Sequence, residues 1–537
     1  MNIFFVASEV APIVKVGGLG DVVGALPKYL KNLGHDVRVI CPLYGHIKNR
    51  EGWIPYEMPL EVWCGHEKRL CKIWEGRLPG SDVKIYFIEY NLFYARDGVY
   101  DSPWGSFQDN DHRFVFLTRA AINICNYLKW YPDVFHCHDW MTGLLPLYLN
   151  THDKGTRVAE AATVMTIHNL QFQGQFYPGL TEWAHLNRKE VLTENNLLHK
   201  GGVNMLKGGI YNATKVNAVS PGYAEEIKTP VFGYGLDPVL RFKAADLTGI
   251  LNGIDNSVWN PSLDCLLPAR YSAADLSGKA ACKAELQKTF GLEVNPDIPL
   301  FGVVSRLSQQ KGLDLLNAIV PRLMENMKIQ IVVTGTGEQA LQWGFATHAS
   351  RYAGRVGAFA GFCENKAHLT YAGSDAFLIP SRFEPCGLTQ QYAMKYGTLP
   401  VARATGGLAD TIEQYCSAAG GIAQNAPLLG DKISDIPAPA ARGTGFLFND
   451  ATADALYNTI GWACSTWYDK KDEWKTLQQN GMAKEFGWEK RALEYEKLYA
   501  CAVEARTGKK VELPDRTPKQ AEVATAPTAA PGEELTA

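Results

Sequence analysis

Asn2-Ile3-Phe4-Phe5-Val6-Ala7, followed by Lys15-Val16-Gly17-Gly18-Leu19-Gly20-Asp21, decides how the rest of this 537-residue chain is read. The first run is short and apolar, with no basic residues before it, and predicts a buried strand rather than a cleaved leader. The glycines of the second run let backbone approach a ligand closely. The helix they open presents free N–H groups and a positive dipole end to an anion such as phosphate. Lys15 adds a mobile cation. Strand, glycine-rich loop and helix in that order start a parallel sheet flanked by helices.

The same alternation continues along the chain. Further strands are expected at Val37–Cys41, Lys84–Glu89, Val134–His138, Thr163–Ile167 and Lys215–Val219. A second set is expected at Leu300–Ser305, Ile329–Gly335, Val356–Phe362, Ala376–Pro380 and Thr398–Ala402. The length exceeds what one core normally serves, so the fold class is α/β with two doubly wound domains, over 1–250 and 300–487. A Pro-containing linker is expected over 251–299, an amphipathic helix over 488–506 and a disordered Pro/Ala/Thr/Glu tail over 507–537.

Hydrophobic residues make up 46% and charged residues 20%, an ordinary globular profile. A net charge of −3 gives no electrostatic footprint for nucleic acid or an anionic membrane. No apolar run approaches the ~18 residues of a spanning helix. The twelve cysteines form no CxxC pair and read as reduced thiols, in keeping with a cytoplasmic protein.

Gly18-x-Gly20-x-x-x-Gly24 loosely resembles a dinucleotide fingerprint. That fingerprint needs a ribose-binding carboxylate at the end of the second strand, where Ile40-Cys41-Pro42 stands instead. A dehydrogenase is disfavoured.

Four other stretches carry candidate chemistry. Ser305-Arg306-Leu307-Ser308-Gln309-Gln310-Lys311-Gly312 follows the first strand of the second domain, and its two cations suit a departing nucleoside diphosphate. In Pro380-Ser381-Arg382-Phe383-Glu384-Pro385-Cys386-Gly387-Leu388-Thr389 a carboxylate lies in a turn between a strand and a helix. Burying Glu384 between Phe383 and Pro385 is costly without partners, which marks it as functional. His168-Asn169 ends a strand. In His136-Cys137-His138-Asp139-Trp140 two histidines share a strand face, but no third metal ligand is signalled. Asp139 is read as a sugar-hydroxyl ligand and Trp140 as packing. Finally, Thr405-Gly406-Gly407-Leu408 echoes Val16-Gly17-Gly18-Leu19, as though two similar domains each present a helix N-terminus to one ligand.

Together these motifs resemble the glycogen/starch synthase family, of the two-domain GT-B fold with Rossmann-like domains facing across a cleft. The resemblance runs from Asn2 to about Tyr499 and includes Leu251-Asn252-Gly253-Ile254-Asp255 and Ala218-Val219-Ser220-Pro221. It implies that Glu384, His168, Arg306 and Lys311 are catalytic. It implies substrate contacts from Lys15, Gly17, Gly18, Asp21, Asp139, Asn169, Asn252, Cys386, Gly387, Leu388 and Thr389. The implied partners are a nucleotide-sugar donor, ADP-glucose or UDP-glucose with the bacterial-type resemblance favouring ADP-glucose, and glycogen or another α-1,4-glucan. No cofactor, metal, nucleic acid or membrane is expected. Related enzymes often carry Glu-x7-Glu, yet eight residues after Glu384 stands Tyr392, which resembles the bacterial and plant synthases. A processed plastid protein is the other location compatible with the resemblance. The alternatives are another GT-B nucleotide-sugar enzyme or an inactive glucan-binding homologue.

Overall fold

The computed structural model describes residues 1–418 and 441–516. The N-terminal strand Asn2–Val6 forms as read, and Ile3, Phe4, Phe5 and Val6 are all 0% exposed. It lies mid-sheet, parallel to Asp36–Pro42 on one side and Val134–His138 on the other. Beyond Val134–His138 come Ala162–Ile167, Lys215–Ala218 and Leu247–Gly249, all parallel. Strands buried on both faces read as continuous apolar runs, which is why the sequence reveals them.

On the opposite side Lys84–Glu89 pairs in parallel with Asp36–Pro42, and then an antiparallel hairpin, Leu60–Cys64 with Glu67–Arg77, extends the sheet. This hairpin is absent from the sequence reading. Leu60–Cys64 alternates buried and exposed residues, and Glu67–Arg77 is mostly polar on its outer face, so neither presents an apolar run.

The second sheet is wholly parallel, in the order Val356–Phe359, Gln330–Thr334, Leu300–Val304, Ala376–Ile379, Leu399–Arg403 and Phe446–Phe448. The stretch 251–299, expected as a linker, is a correction. It contains the helix Ser277–Thr289, whose Cys282 and Leu286 are buried in the second lobe's core. Lys279 Nζ donates to Ala372 O and Tyr396 O, and Lys283 pairs with Asp375 at 2.7 Å, so this helix is part of that lobe.

The helix Trp488–Thr507 crosses back to the first lobe. Trp488, Tyr495 and Tyr499 join the first lobe's core, and Arg506 donates to Asn150 at 2.8 Å. Of the tail expected at 507–537, residues 517–537 lie outside the described residues. No helix among the described residues is long and apolar enough to cross a membrane.

Candidate active site

Both sheets direct the C-terminal ends of their parallel strands to loops that carry the motifs, the edge where open α/β sheets bind ligands. In the first lobe, Val16 and Gly18 are exposed and a Cβ added at Gly17 or Gly18 would meet nothing within 4 Å, so this loop borders open space. Lys15 Nζ pairs with Asp21 Oδ1 at 2.8 Å. A residue missed by the sequence reading, Glu9, lies beneath. Its Oε2 accepts from Val16 N–H at 2.6 Å and Gly17 N–H at 2.9 Å, and its Oε1 accepts from Tyr100 Oη at 2.6 Å. Burial pushes the Glu9 carboxyl above the usual range, opposed by these hydrogen bonds.

Asp139 sits directly after its strand at φ +53° and ψ −169°, a strained conformation outside the left-handed helical region. It is 7% exposed, and its Oδ1 accepts from His168 N–H at 2.7 Å. The carboxylate therefore holds the next strand's loop in place, a structural task beyond the sugar contact expected of it. Burial, only partly offset by those backbone hydrogen bonds, pushes its pKa up to about 7. His168 is half-buried, its Nε2 lies 2.9 Å from His138 Nδ1, and burial pushes it down to about 3, so the ring is neutral. His136 does not join His138 on a metal. It bonds Thr166 Oγ1 at 2.7 Å and Tyr499 Oη at 2.8 Å. Among the described residues no group of His, Cys, Asp and Glu could hold a metal ion. Trp140 packs as read, against Phe114 and Phe176.

In the second lobe the two motif loops are stitched together. Lys311 Nζ donates to Glu384 Oε2 at 2.5 Å and Ser381 Oγ donates to the same oxygen at 2.9 Å. Gly312 adopts φ +67°, and a Cβ there would lie 1.9 Å from Pro380 O, so only glycine allows the loops this close. Glu384 is 5% exposed, with the partners that a buried carboxylate requires. Ser305, Lys311, Ser381, Glu384 and Thr389 line one small cavity. Arg306 is exposed, and its side chain has no hydrogen bond or ion pair among the described residues. Gly387 has φ +71°, and Leu388 caps the helix Thr389–Lys395.

Cys386 is 4% exposed and packs with the first lobe's core, where burial pushes its thiol up to about 12, so it acts as packing rather than as a nucleophile. Asn252 O accepts from Gln391 Nε2 at 3.3 Å, while its buried Oδ1 has no partner among the described residues. Tyr392 stacks on Trp259 with centroids 3.8 Å apart. Its hydroxyl is raised well above the usual range, chiefly by burial and next by the charge of Asp21 from the opposite lobe.

The echo between the two Gly-Gly-Leu stretches has a different meaning from the one expected. Gly406 N–H and Thr405 Oγ1 both donate to Glu226 Oε1 of the first lobe at 2.8 Å, and Gly407 N–H donates to Glu384 O at 3.1 Å. A Cβ at Gly407 would lie 2.1 Å from Cys386 O. This second glycine pair therefore joins the lobes and supports the Glu384 turn instead of facing a ligand. Gly222 N–H to Asp410 Oδ2 at 2.7 Å and Ser220 Oγ to Pro385 O at 2.6 Å complete the junction.

Phe362, 85% exposed after the strand Val356–Phe359, is a second residue the sequence reading missed, because one aromatic in a predicted strand carries no signal.

The starch synthase catalytic domain profile matches residues 2–242, and the glycosyl transferases group 1 profile matches residues 287–435. Glycogen synthase 1 of Geobacter metallireducens is 45% identical, covering 95% of this chain and 98% of its own length. Glycogen synthase of Treponema denticola is 40% identical over 94% of this chain and 99% of its own. Among solved structures, the catalytic domain of starch synthase IV from Arabidopsis thaliana, bound to ADP and acarbose, superposes with a TM-score of 0.82 at 32% identity, covering 94% of this chain and 99% of that one. Motif loops at the facing edges of two doubly wound lobes and relatives matched along nearly their whole length agree: this chain belongs to the glycogen/starch synthase family of GT-B glycosyltransferases.

Proposed function

We propose that this glycosyltransferase moves glucose from ADP-glucose to the non-reducing 4-hydroxyl of an α-1,4-glucan with retention of configuration. The observation that carries this reading is the Lys311–Glu384 pair at the second lobe's ligand edge, in a cavity that Ser305 also lines, with exposed Arg306 next in the chain. As the bond between glucose C1 and the phosphate oxygen breaks, its electron pair leaves with ADP. Arg306 and Lys311, with Lys15 and the Gly17–Gly18 loop from the other lobe, stabilise the charge that grows on the diphosphate. The half-buried turn Gly387, Leu388 and Thr389 flanks it.

Retention by double displacement needs a carboxylate nucleophile under the sugar ring, ~5 Å from its acid/base partner. The sequence motifs bring no such pair of carboxylates together. We therefore favour same-face substitution: the acceptor 4-hydroxyl attacks C1 on the side that ADP leaves, and its proton passes to a diphosphate oxygen. Glu384 orients the sugar and balances its developing positive charge. His168, Asn169 and Asp139 position the glucose, while Asp21 borders the cleft and buried Asn252 and Cys386 support it from behind.

Support for an adenine nucleotide comes from exposed Phe362 at the same edge, a stacking surface for a purine, and from the ADP named in the starch synthase IV complex. The test is competition between ADP-glucose and UDP-glucose on a glycogen primer, with the anomeric configuration of the new bond read by NMR. Preferential UDP-glucose use, or a β-linkage, would refute the assignment.

A further inference from the structure

His138 is 0% exposed, and among the described residues its side chain has one polar contact, Nδ1 lying 2.9 Å from His168 Nε2. Its own Nε2 is buried with no partner among the described residues, and its ring lies against Phe5, stacked with centroids 5.6 Å apart, and His136, at 4.1 Å. Both rings are neutral, because burial lowers each well below the usual histidine range. Two neutral imidazoles that share one N···N contact share a single proton there, so the tautomer of one dictates that of the other.

Only two arrangements are possible. If His168 Nε2 carried the proton, His138 would have to carry its own on Nε2, leaving a buried N–H with no acceptor. If His138 Nδ1 carries it, His138 Nε2 is bare and no donor is stranded. Orphaned buried N–H groups are the rarer defect. The second arrangement puts the remaining His168 proton on Nδ1, the opposite edge of the ring, which bonds no protein group among the described residues. The main chain of both residues is pinned as well: His168 N–H is held by Asp139 Oδ1 at 2.7 Å, and His138 N–H by Thr142 Oγ1 at 2.7 Å.

We propose that His138 is a positioning residue that holds His168 as its Nδ1–H tautomer, so that the ring gives a hydrogen-bond donor to an oxygen of the bound sugar. The role rests on the glucosyl-transfer reading for its consequence, but not for the tautomer itself. A neutral donor suits a site that already holds the cations for the diphosphate, since it orients a sugar oxygen without adding charge near the developing positive centre.

The test uses full-length, ligand-free protein labelled with ¹⁵N-histidine, and two-bond ¹⁵N–¹H correlation spectra to read each tautomer. Both His138 and His168 are expected as Nδ1–H. His138→Asp supplies only an acceptor and should flip His168 to Nε2–H, whereas His138→Asn, whose amide can still donate, should keep it Nδ1–H. With ADP-glucose and glycogen, kcat of the Asn variant should exceed that of the Asp variant at least about tenfold, the effect of one hydrogen bond. Nε2–H at His168 in the unsubstituted protein, or equal kcat in the two variants, would overturn the proposal. If the Asp variant does not fold, the unsubstituted spectrum decides alone. A protein that transfers no glucose at all would sink the functional reading while leaving the spectrum to judge the tautomer.

Discussion

Lys311 Nζ donates to Glu384 Oε2 across 2.5 Å, joining two strand-to-helix loops that lie 73 residues apart in the chain. Ser381 binds the same carboxylate oxygen, so the side chain has one orientation. Glu384→Gln keeps its volume and can still accept from Ser381, but removes the charge opposite Lys311. We expect kcat to fall about 10²–10³-fold, the scale of losing one preorganised electrostatic group, with KM for ADP-glucose changed only a few-fold. Steady-state kinetics decide the matter; a loss confined to KM would remove Glu384 from the transition state.

Gly312 sets the position of that pair. Its φ of +67° and the 1.9 Å approach of a Cβ to Pro380 O leave no room for alanine. Gly312→Ala should destabilise the protein by about 1–3 kcal/mol through backbone strain, and should lower kcat because Lys311 moves with it. Urea unfolding and turnover measured on the same preparation test both effects, and an unchanged midpoint would contradict the geometry.

Phe362 is 85% exposed, so its replacement leaves the core untouched. If adenine stacks on it, Phe362→Ala should weaken ADP binding by about tenfold or more, matching the ~1–3 kcal/mol of base–aromatic stacking, without altering thermal stability. Calorimetric titration with ADP is the measurement, and equal affinity would place the base elsewhere.

Asp139 predicts a pH effect of definite sign. Its carboxyl, ordinarily 3.8, rises to about 7 in the folded protein through burial. The folded state then holds the proton more tightly than the unfolded chain, so this contribution is complete below about pH 4 and is lost as pH rises through about 7. Asp139→Asn, which keeps the shape of the side chain but cannot ionise, should flatten that part of the curve. Urea unfolding of both proteins at pH 5 and pH 8 gives the comparison; parallel slopes would mean that the carboxylate does not titrate in this window.

Much of the molecule was legible because its information is local. A parallel strand buried on both faces shows as an apolar run, and a glycine forced by close packing sits where its loop needs it, so Asn2–Val6, Val134–His138 and the loops holding Lys15, Arg306, Lys311 and Glu384 could be placed by reading along the chain. The amphipathic hairpin Leu60–Cys64/Glu67–Arg77 escaped that reading, since half of its surface faces water.

By itself, the sequence determined two doubly wound lobes, most of their parallel strands as segments of the chain, and the residue types carried by the loops after them. Only the tertiary structure decided that Glu9 holds the Gly17 loop, that Glu226 reaches across the lobes to Gly406, that the helix Ser277–Thr289 packs into the second lobe, and that His138 Nδ1 lies against His168 Nε2. Each of these is a contact between single polar or scattered apolar groups far apart in the chain. No periodicity or spacing encodes such a partner; it is chosen when the sheets and the returning helix close around groups that cannot be buried alone.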